Sequence, residues 1–229
     1  MNILITGVSS GLGYELAKQF NANGDIVYGT SRQKPDLNIN HLQVDFNNLE
    51  ELSIGFNNFI KNVSEFDIVI LNAGMLGEIN TTSNISLSQF NKIFNVNVFA
   101  NKIILDRLLS NKVKLTRVIG ISSGAALKSY HGWSLYCTSK AAFKQLLSTY
   151  SLEHKEISFI SLAPGIIKTN MQTYINKIDK EKFPSVEKFQ EKYHEMDTAD
   201  IVSRKLINNL DSIFNHQSGN FVDLRDIKK

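Results

Sequence analysis

The chain has 229 residues and a mass of 25.8 kDa, with 42% hydrophobic and 21% charged residues, the proportions of an ordinary globule rather than a disordered, collagenous or disulfide-stapled chain. Lysine and arginine number 25 against 22 aspartates and glutamates, a formal charge of +3, too small and too scattered a surplus for the basic face of a nucleic-acid binder. A lone cysteine, Cys137, excludes an intrachain disulfide and a cysteine-cluster metal site, and the absence of ~18 consecutive apolar residues or a basic leader points to a cytoplasmic protein with no membrane partner.

Residues 2–6 (NILIT) read as a buried strand. Residues 12–23 follow as a helix, with Leu12, Leu16 and Phe20 on one face at a spacing of four. Strands are expected at 26–30 and 41–44, and a helix at 49–62. Residues 66–71 (FDIVIL) form the most continuous apolar strand, and 87–110 a long helix. A strand at 117–122, a helix at 134–152 and a strand at 157–162 come next. Residues 168–196 are polar and irregular, 198–214 helical, and 220–224 a closing strand. No repeat or linker interrupts the series. Strand–helix alternation with continuously apolar strands predicts right-handed βαβ units and a sheet covered on both faces. The fold class is therefore a Rossmann-type, doubly wound parallel α/β sheet of about seven strands, in one domain over 1–229. In such sheets ligands bind beyond the carboxyl ends of the strands, here just after Thr6, Thr30, Val44, Leu71, Ser122 and Leu162.

The first strand end carries Gly7, Ser9, Ser10, Gly11, Leu12 and Gly13 in a G-x-x-x-G-x-G pattern. A turn without Cβ atoms lets backbone N–H groups approach a pyrophosphate, and the helix that follows adds partial positive charge. A glycine turn with no ligand is the alternative. After the second strand, Ser31 and Arg32 stand where a dinucleotide fold reads the adenosine ribose. No carboxylate occupies 30–32 to take a 2′-hydroxyl, and a guanidinium suits a 2′-phosphate. Arg32 thus favours NADP over NAD unless it is merely a solvated side chain. Asp45, with its neighbour Phe46, closes the third strand and is either an adenine contact, a turn residue or a helix cap. Asn72, Ala73 and Gly74 follow the fourth strand, small enough for backbone to lie against a cofactor.

Ser122 and Ser123 end the fifth strand, and Tyr136 and Lys140 lie four residues apart on one helical face. A phenol with pKa ~10 is a poor acid–base group near neutrality. A close ammonium favours the phenolate, and reaching pH 7 asks for roughly 4 kcal/mol. By itself a tyrosine and a lysine one turn apart often arise by chance.

Taken together, Thr6-Gly7-x-x-x-Gly11-x-Gly13, Asn72-Ala73-Gly74, Ser123, Tyr136-x-x-x-Lys140 and Pro164-Gly165 fall in order at the expected strand ends. The chain resembles the compact, single-domain branch of the short-chain dehydrogenase/reductase family over about residues 1–170. The resemblance implies Tyr136 as acid–base residue, Lys140 on the nicotinamide ribose, Ser123 on the substrate carbonyl, and Asn97 rather than Asn95 holding a water beside the lysine. It implies a cofactor clamp at Pro164, Gly165, Ile167 and Thr169, a substrate lid at 168–196, and a homodimer or homotetramer. The family's glycine-rich ending after the last strand is absent, as is a basic residue at Ser9-Ser10.

The expected activity is NADP-preferring hydride transfer between nicotinamide and a small-molecule carbonyl or secondary alcohol, NAD being possible. The alternative is a non-catalytic dinucleotide-binding or redox-sensing protein on the same fold. No metal is expected, since His154, His194 and His216 lack ligand spacing. Lys128, His131, Trp133, Met171 and Tyr174 are further places where a substrate could touch, and Cys137 reads as a small core residue.

Overall fold

The computed structural model describes residues 1–227. Its main sheet holds β1 (Asn2–Thr6), β2 (Ile26–Ser31), β3 (Asn40–Gln43), β4 (Glu65–Leu71), β5 (Lys114–Ile121) and β6 (Ser158–Ala163). A two-residue pair, β7 (Ile167–Lys168) and β8 (Asp197–Thr198), stands apart, and β9 (Phe221–Asp223) completes the main sheet. The seven strands run parallel in the order β3-β2-β1-β4-β5-β6-β9. The chain leaves β1 toward β3, then returns to build outward from β4. That reversal opens a crevice beyond the carboxyl ends of β1 and β4.

Strand alternation sorts the core into two layers. Ile3 and Ile5 pack with Leu12, Leu16 and Phe20 of α1 (Gly11–Ala22), with Val202 and Leu206 of α8 (Ala199–Asn208) and with Ile213 of α9 (Leu210–Phe214). Leu4, on the opposite face, joins Leu52 and Phe56 of α2 (Leu49–Phe59), Leu105 of α4 (Ala100–Ser110), and Phe143 and Leu147 of α5 (Ser134–Glu153). Each fully buried Leu, Ile or Phe contributes about 1.5–3 kcal/mol. A third, smaller cluster lies at the carboxyl end, where Trp133 and Tyr136 meet Ile175, Phe183, Val186 and Phe189.

Three expectations need correction. Residues 87–110 are not one regular helix: α3 (Leu87–Phe94), opened by a Ser86–Gln89 capping box, joins α4 through a π turn at Asn95–Phe99. The extra residue in that turn re-aims the side chains around it. Residues 198–214 divide into α8 and α9 at Asn209. The 168–196 segment is not irregular: it holds α6 (Asn170–Ile175), a 3-10 turn at Pro184–Val186 and α7 (Glu187–Glu191). These short helices have little internal stability; Ile175, Val186 and Phe189 anchor them to the third cluster. Among the described residues, no helix is long and apolar enough to cross a membrane.

Helix α1 lies very close to the turn after β1. A Cβ on Gly13 would stand 2.3 Å from the Gly7 carbonyl oxygen and 2.4 Å from Asn72 Nδ2. Both neighbours are held by backbone or by hydrogen bonds, so neither gives way. Gly13→Ala should therefore lower stability by about 1–3 kcal/mol despite alanine's better helix propensity. Urea unfolding checks this; an unchanged midpoint would mean that the helix backs away at no cost.

Candidate active site

The crevice is a cleft of about 1020 Å³ running across the carboxyl ends of the strands. Its floor begins at Gly7, with φ +76° and its N–H donating to the Thr30 carbonyl at 2.7 Å. Gly11 has φ +60°, and a Cβ there would meet nothing nearer than Thr169 Cγ2 at 3.6 Å. Both angles lie in the left-handed region that favours glycine. Helix α1 starts after Ser10, whose side chain makes no cap hydrogen bond, and its first turn has no acidic residue. First-turn N–H groups and their partial positive charge are thus left to the cleft, which Ser9, Ser10, Gly11 and Leu12 line. Gly13 does not line it; it is the packing glycine behind the wall.

Thr6 laces β1 to β4. Its Oγ1 accepts from the Asn72 and Ala73 backbone N–H groups, both at 2.9 Å, while Asn72 Nδ2 donates to the Thr6 carbonyl at 2.8 Å. Asn72, Ala73 and Gly74 are thereby held at the cleft edge. This role of Thr6 was not anticipated from sequence.

Ser31 and Arg32 line the cleft beyond β2. Ser31 Oγ donates to the Gln33 carbonyl at 2.7 Å and meets His41 Nε2 at 2.8 Å. Since the hydroxyl proton is committed to Gln33, His41 Nε2 is the donor in the second bond. Burial and then Lys34 lower the His41 pKa, keeping the ring neutral. His41 had no signal in the sequence beyond its place on a strand. Asp45 and Phe46 also line the cleft. Asp45 Oδ1 accepts from the Asn47 N–H at 2.9 Å, a turn contact, while the cap of α2 is Asn48.

At the other end of the cleft stand Ser123, Tyr136 and Lys140. Ser123 Oγ accepts from the Ala125 N–H at 3.2 Å, which leaves its proton to be donated. Tyr136 is 9% and Lys140 4% exposed. Lys140 Nζ donates to the Ile121 carbonyl at 2.7 Å and lies 5.7 Å from the Tyr136 ring centroid. Asn97 is wholly buried and does not line the cleft. Its Oδ1 accepts from the Met75 N–H at 2.8 Å, and its Nδ2 donates to the Met75 carbonyl and to Ser139 Oγ, both at 2.9 Å. A Cβ on Gly74 would lie 3.4 Å from both Asn97 Oδ1 and Lys140 Nζ, so the two polar groups share one small space. Asn95 points elsewhere, toward Asn47.

The electrostatics depart from expectation. Burial pushes the Tyr136 phenol up to about 12, and the neighbouring Ser123 hydroxyl pulls it down by less. Desolvation thus dominates, the ammonium on which the sequence argument relied is not among the groups that move the phenol, and the protein's own groups keep Tyr136 protonated.

Pro164, Gly165, Ile167 and Thr169 form the far wall, with Met171. Tyr174 does not line the cleft and is 40% exposed. Lys128 and Trp133 line it, whereas His131 packs on Phe183 outside it. Cys137, half-buried, packs against the third cluster, and burial raises its thiol pKa. Phe189, Lys188 and Lys192 line the cleft too; a polar segment without periodicity had given no reason to single them out.

The residues fit a dinucleotide. The glycine cradle is open, the helix N-terminus is uncapped, and two cleft-lining hydroxyls, Thr30 Oγ1 and Ser122 Oγ, are buried without a hydrogen-bond partner among the described residues. Buried polar groups left so are normally satisfied by a ligand or water.

Lys140 is held down to about 8 from 10.5 by desolvation. Between those values the unfolded chain binds more protons than the folded one, so stability rises with pH through that window. Holding the charged form at neutral pH costs about 3 kcal/mol. Relative to the wild type, Lys140→Met should therefore lose about that much of its stability advantage between pH ~7.5 and ~10, measured by urea titration. A difference independent of pH would show that Lys140 does not titrate as a buried cation.

The short-chain dehydrogenase family model matches residues 1–180. A benzil reductase ((S)-benzoin forming) of Bacillus subtilis is 33% identical over 202 residues, covering 82% of this chain and 83% of its own. The crystal structure of a Saccharomyces cerevisiae short-chain dehydrogenase/reductase superposes with a TM-score of 0.84 at 21% identity, covering 98% of this chain and 96% of that one. That of an Escherichia coli short-chain dehydrogenase complexed with NADPH superposes with a TM-score of 0.78 at 20% identity, covering 98% and 96%. With a glycine cradle at β1, a Ser-Tyr-Lys cluster beyond β5 and the family model matched over most of its length, this chain belongs to the short-chain dehydrogenase/reductase family of oxidoreductases.

Proposed function

We propose that the enzyme is an NADP-preferring carbonyl reductase, working in reverse as a secondary-alcohol dehydrogenase, with Tyr136 as its acid–base residue. The observation that carries this reading is the buried meeting of Tyr136, Ser123 and Lys140 at one end of a glycine-lined cleft. A bound dinucleotide supplies the hydride. Ser123 donates a hydrogen bond to the substrate carbonyl oxygen and keeps it beside the Tyr136 hydroxyl. Tyr136 passes its proton to that oxygen as it gains alkoxide character. An alkoxide is a stronger base than a phenolate, so a phenol held near 12 still gives up its proton downhill. Lys140 stabilises the phenolate left behind, an attraction strengthened by the apolar walls. Asn97 bounds the space behind Lys140 and keeps a water there to restore the proton.

On the cofactor side, Gly7, Ser9, Ser10, Gly11 and Leu12 take the pyrophosphate, Ser31 and Arg32 the 2′-phosphate, and Asp45 with Phe46 the adenine. Asn72, Ala73 and Gly74 support one face of the nicotinamide half, and Pro164 to Thr169 close over the other. Residues 168–196 act as the lid. Supporting observations are the name of the Bacillus relative, a reductase of a diketone, and the NADPH of the Escherichia coli protein. The reading includes a cytoplasmic homodimer or homotetramer. Phe99 and Leu152 at the ends of the α4–α5 layer are exposed, surface of the kind that assembly covers.

Thermal unfolding with each cofactor tests the nucleotide half. NADP⁺ at 100 times its Kd should add about 2.7 kcal/mol, NAD⁺ at equal concentration distinctly less, and Arg32→Ala should narrow the gap. Equal stabilisation by both would remove the NADP preference. For the chemistry, Tyr136→Phe should lower kcat about 10²- to 10⁴-fold with a benzil-type diketone while NADP⁺ still raises the melting temperature. Near-normal turnover in that variant would overturn the role of Tyr136. NADP⁺ binding by the wild type with no NADPH oxidation across diketones, ketones and aldehydes would favour the non-catalytic alternative.

A further inference from the structure

The charges on α7 and its flank are sorted by face. Glu187 and Glu191, four residues apart, turn to Lys180: Glu187 pairs with its ammonium at 3.0 Å, and Glu191 adds to the field there. Lys188 and Lys192, also four apart, line the cleft. Lys128, from the loop between Ser123 and Tyr136, lines the cleft as well. Among the described residues none of these three lysines belongs to an ion pair. Arg225 does, with Asp223 at 2.6 Å, so it brings no free charge. The carboxylate that lines the cleft, Asp45, follows edge strand β3. Four strand spacings separate β3 from β5, roughly 19 Å. One end of the cleft is therefore cationic without compensation.

That end is not where a dinucleotide's phosphates would lie. Lys188 Nζ stands 4.0 Å above the Tyr130 ring centroid. Phe189, next in sequence, stacks on Trp133 at 5.0 Å, and Trp133 lies edge-on to Tyr136 at 6.2 Å. Lys188 is thus joined to Tyr136 ring by ring, through Tyr130 and Trp133, and Lys128 and Lys192 line the same cleft. The glycine cradle lies back across the sheet at β1. A ligand reaching from Tyr136 toward α7 would cross Trp133 and Phe189, then meet ammonium groups.

Resting on the reductase reading above, we infer that the preferred substrate is an anionic carbonyl compound: an apolar, aryl-sized body with a carboxylate or similar group on the side remote from the reacting carbon. The apolar wall rewards the body and the lysines the charge. Neutral diketones remain acceptable on this view, but they leave the lysines unused.

The test compares 4-acetylbenzoate with 4-acetylbenzamide, and 3-benzoylpropionate with its amide, to sample two carbonyl-to-anion spacings. Binding is measured by calorimetry on the Tyr136→Phe enzyme with NADP⁺, which needs no turnover. Kinetics are measured on the wild type. The anion of at least one pair should bind about tenfold more tightly than its amide. That ratio should shrink at 0.5 M salt and approach one in Lys188→Gln/Lys192→Gln. Equal affinity of acid and amide in both pairs would overturn the inference. So would a ratio unmoved in the double variant, or a double variant whose main defect is weaker NADP⁺ binding. A charge preference in binding with no turnover of any carbonyl would leave the anion site standing and bring down the reductase reading instead.

Discussion

A nearly buried ammonium group, with one peptide carbonyl as its hydrogen-bond partner, sets the terms for the rest of this site. Lys140 is 4% exposed and donates to the Ile121 carbonyl at 2.7 Å. A charge so placed carries a desolvation cost that neighbouring polar groups offset only when they are held in position. The surroundings are fixed accordingly. Asn97 is locked through three hydrogen bonds to Met75 and Ser139. Gly74 leaves room for both polar heads, and Thr6 ties the strand end that carries it. Even at about 8, most Lys140 side chains keep their charge at neutral pH.

The parallel sheet explains why these groups meet. Tyr136 and Lys140 come from α5, Ser123 from the end of β5, Asn97 from the π turn and Gly74 from the end of β4. Sequence separations of up to 66 residues collapse because every strand delivers its carboxyl end to the same edge. The order of strands then sorts the cleft: β1 and β2 bring glycines and Arg32, while the end of β5 and the α5 helix that follows bring Ser123, Tyr136 and Lys140.

Much of this was legible in the sequence because the signals are local. A short, bounded run such as FDIVIL reads as a strand covered on both faces, and the residue type just past each strand end points to the chemistry available there. What stayed hidden depends on tertiary contact. Gly13 looked like part of the nucleotide cradle, yet a glycine needed for helix–strand approach and one needed for ligand approach have the same letter. The π turn does not change the hydrophobic period of 87–110 enough to be seen, although it turns Asn97 inward and Asn95 outward. Short α6 and α7 carry no periodic signal; aromatic contacts made from far along the chain hold them. Tyr136 shows the limit most clearly. Spacing revealed the lysine one turn away, but burial, which pushes the phenol up to about 12, is a property of the fold.

The two titrations bear on which half-reaction the protein alone favours. Burial raises an acid that becomes charged on losing its proton and lowers a base that becomes neutral on losing its own. Apolar walls therefore move Tyr136 and Lys140 in opposite directions, to about 12 and about 8. Both changes disfavour charge in the site. Bringing Tyr136 to pH 7 would take roughly 7 kcal/mol of added positive potential. As the acid of the proposed reduction it needs none of this, for it already holds the proton. On the proposed reading, the protein's own groups therefore suit proton delivery to oxygen. In the reverse, oxidative direction of that reading, the positive charge of a bound oxidised nucleotide would supply what the protein does not.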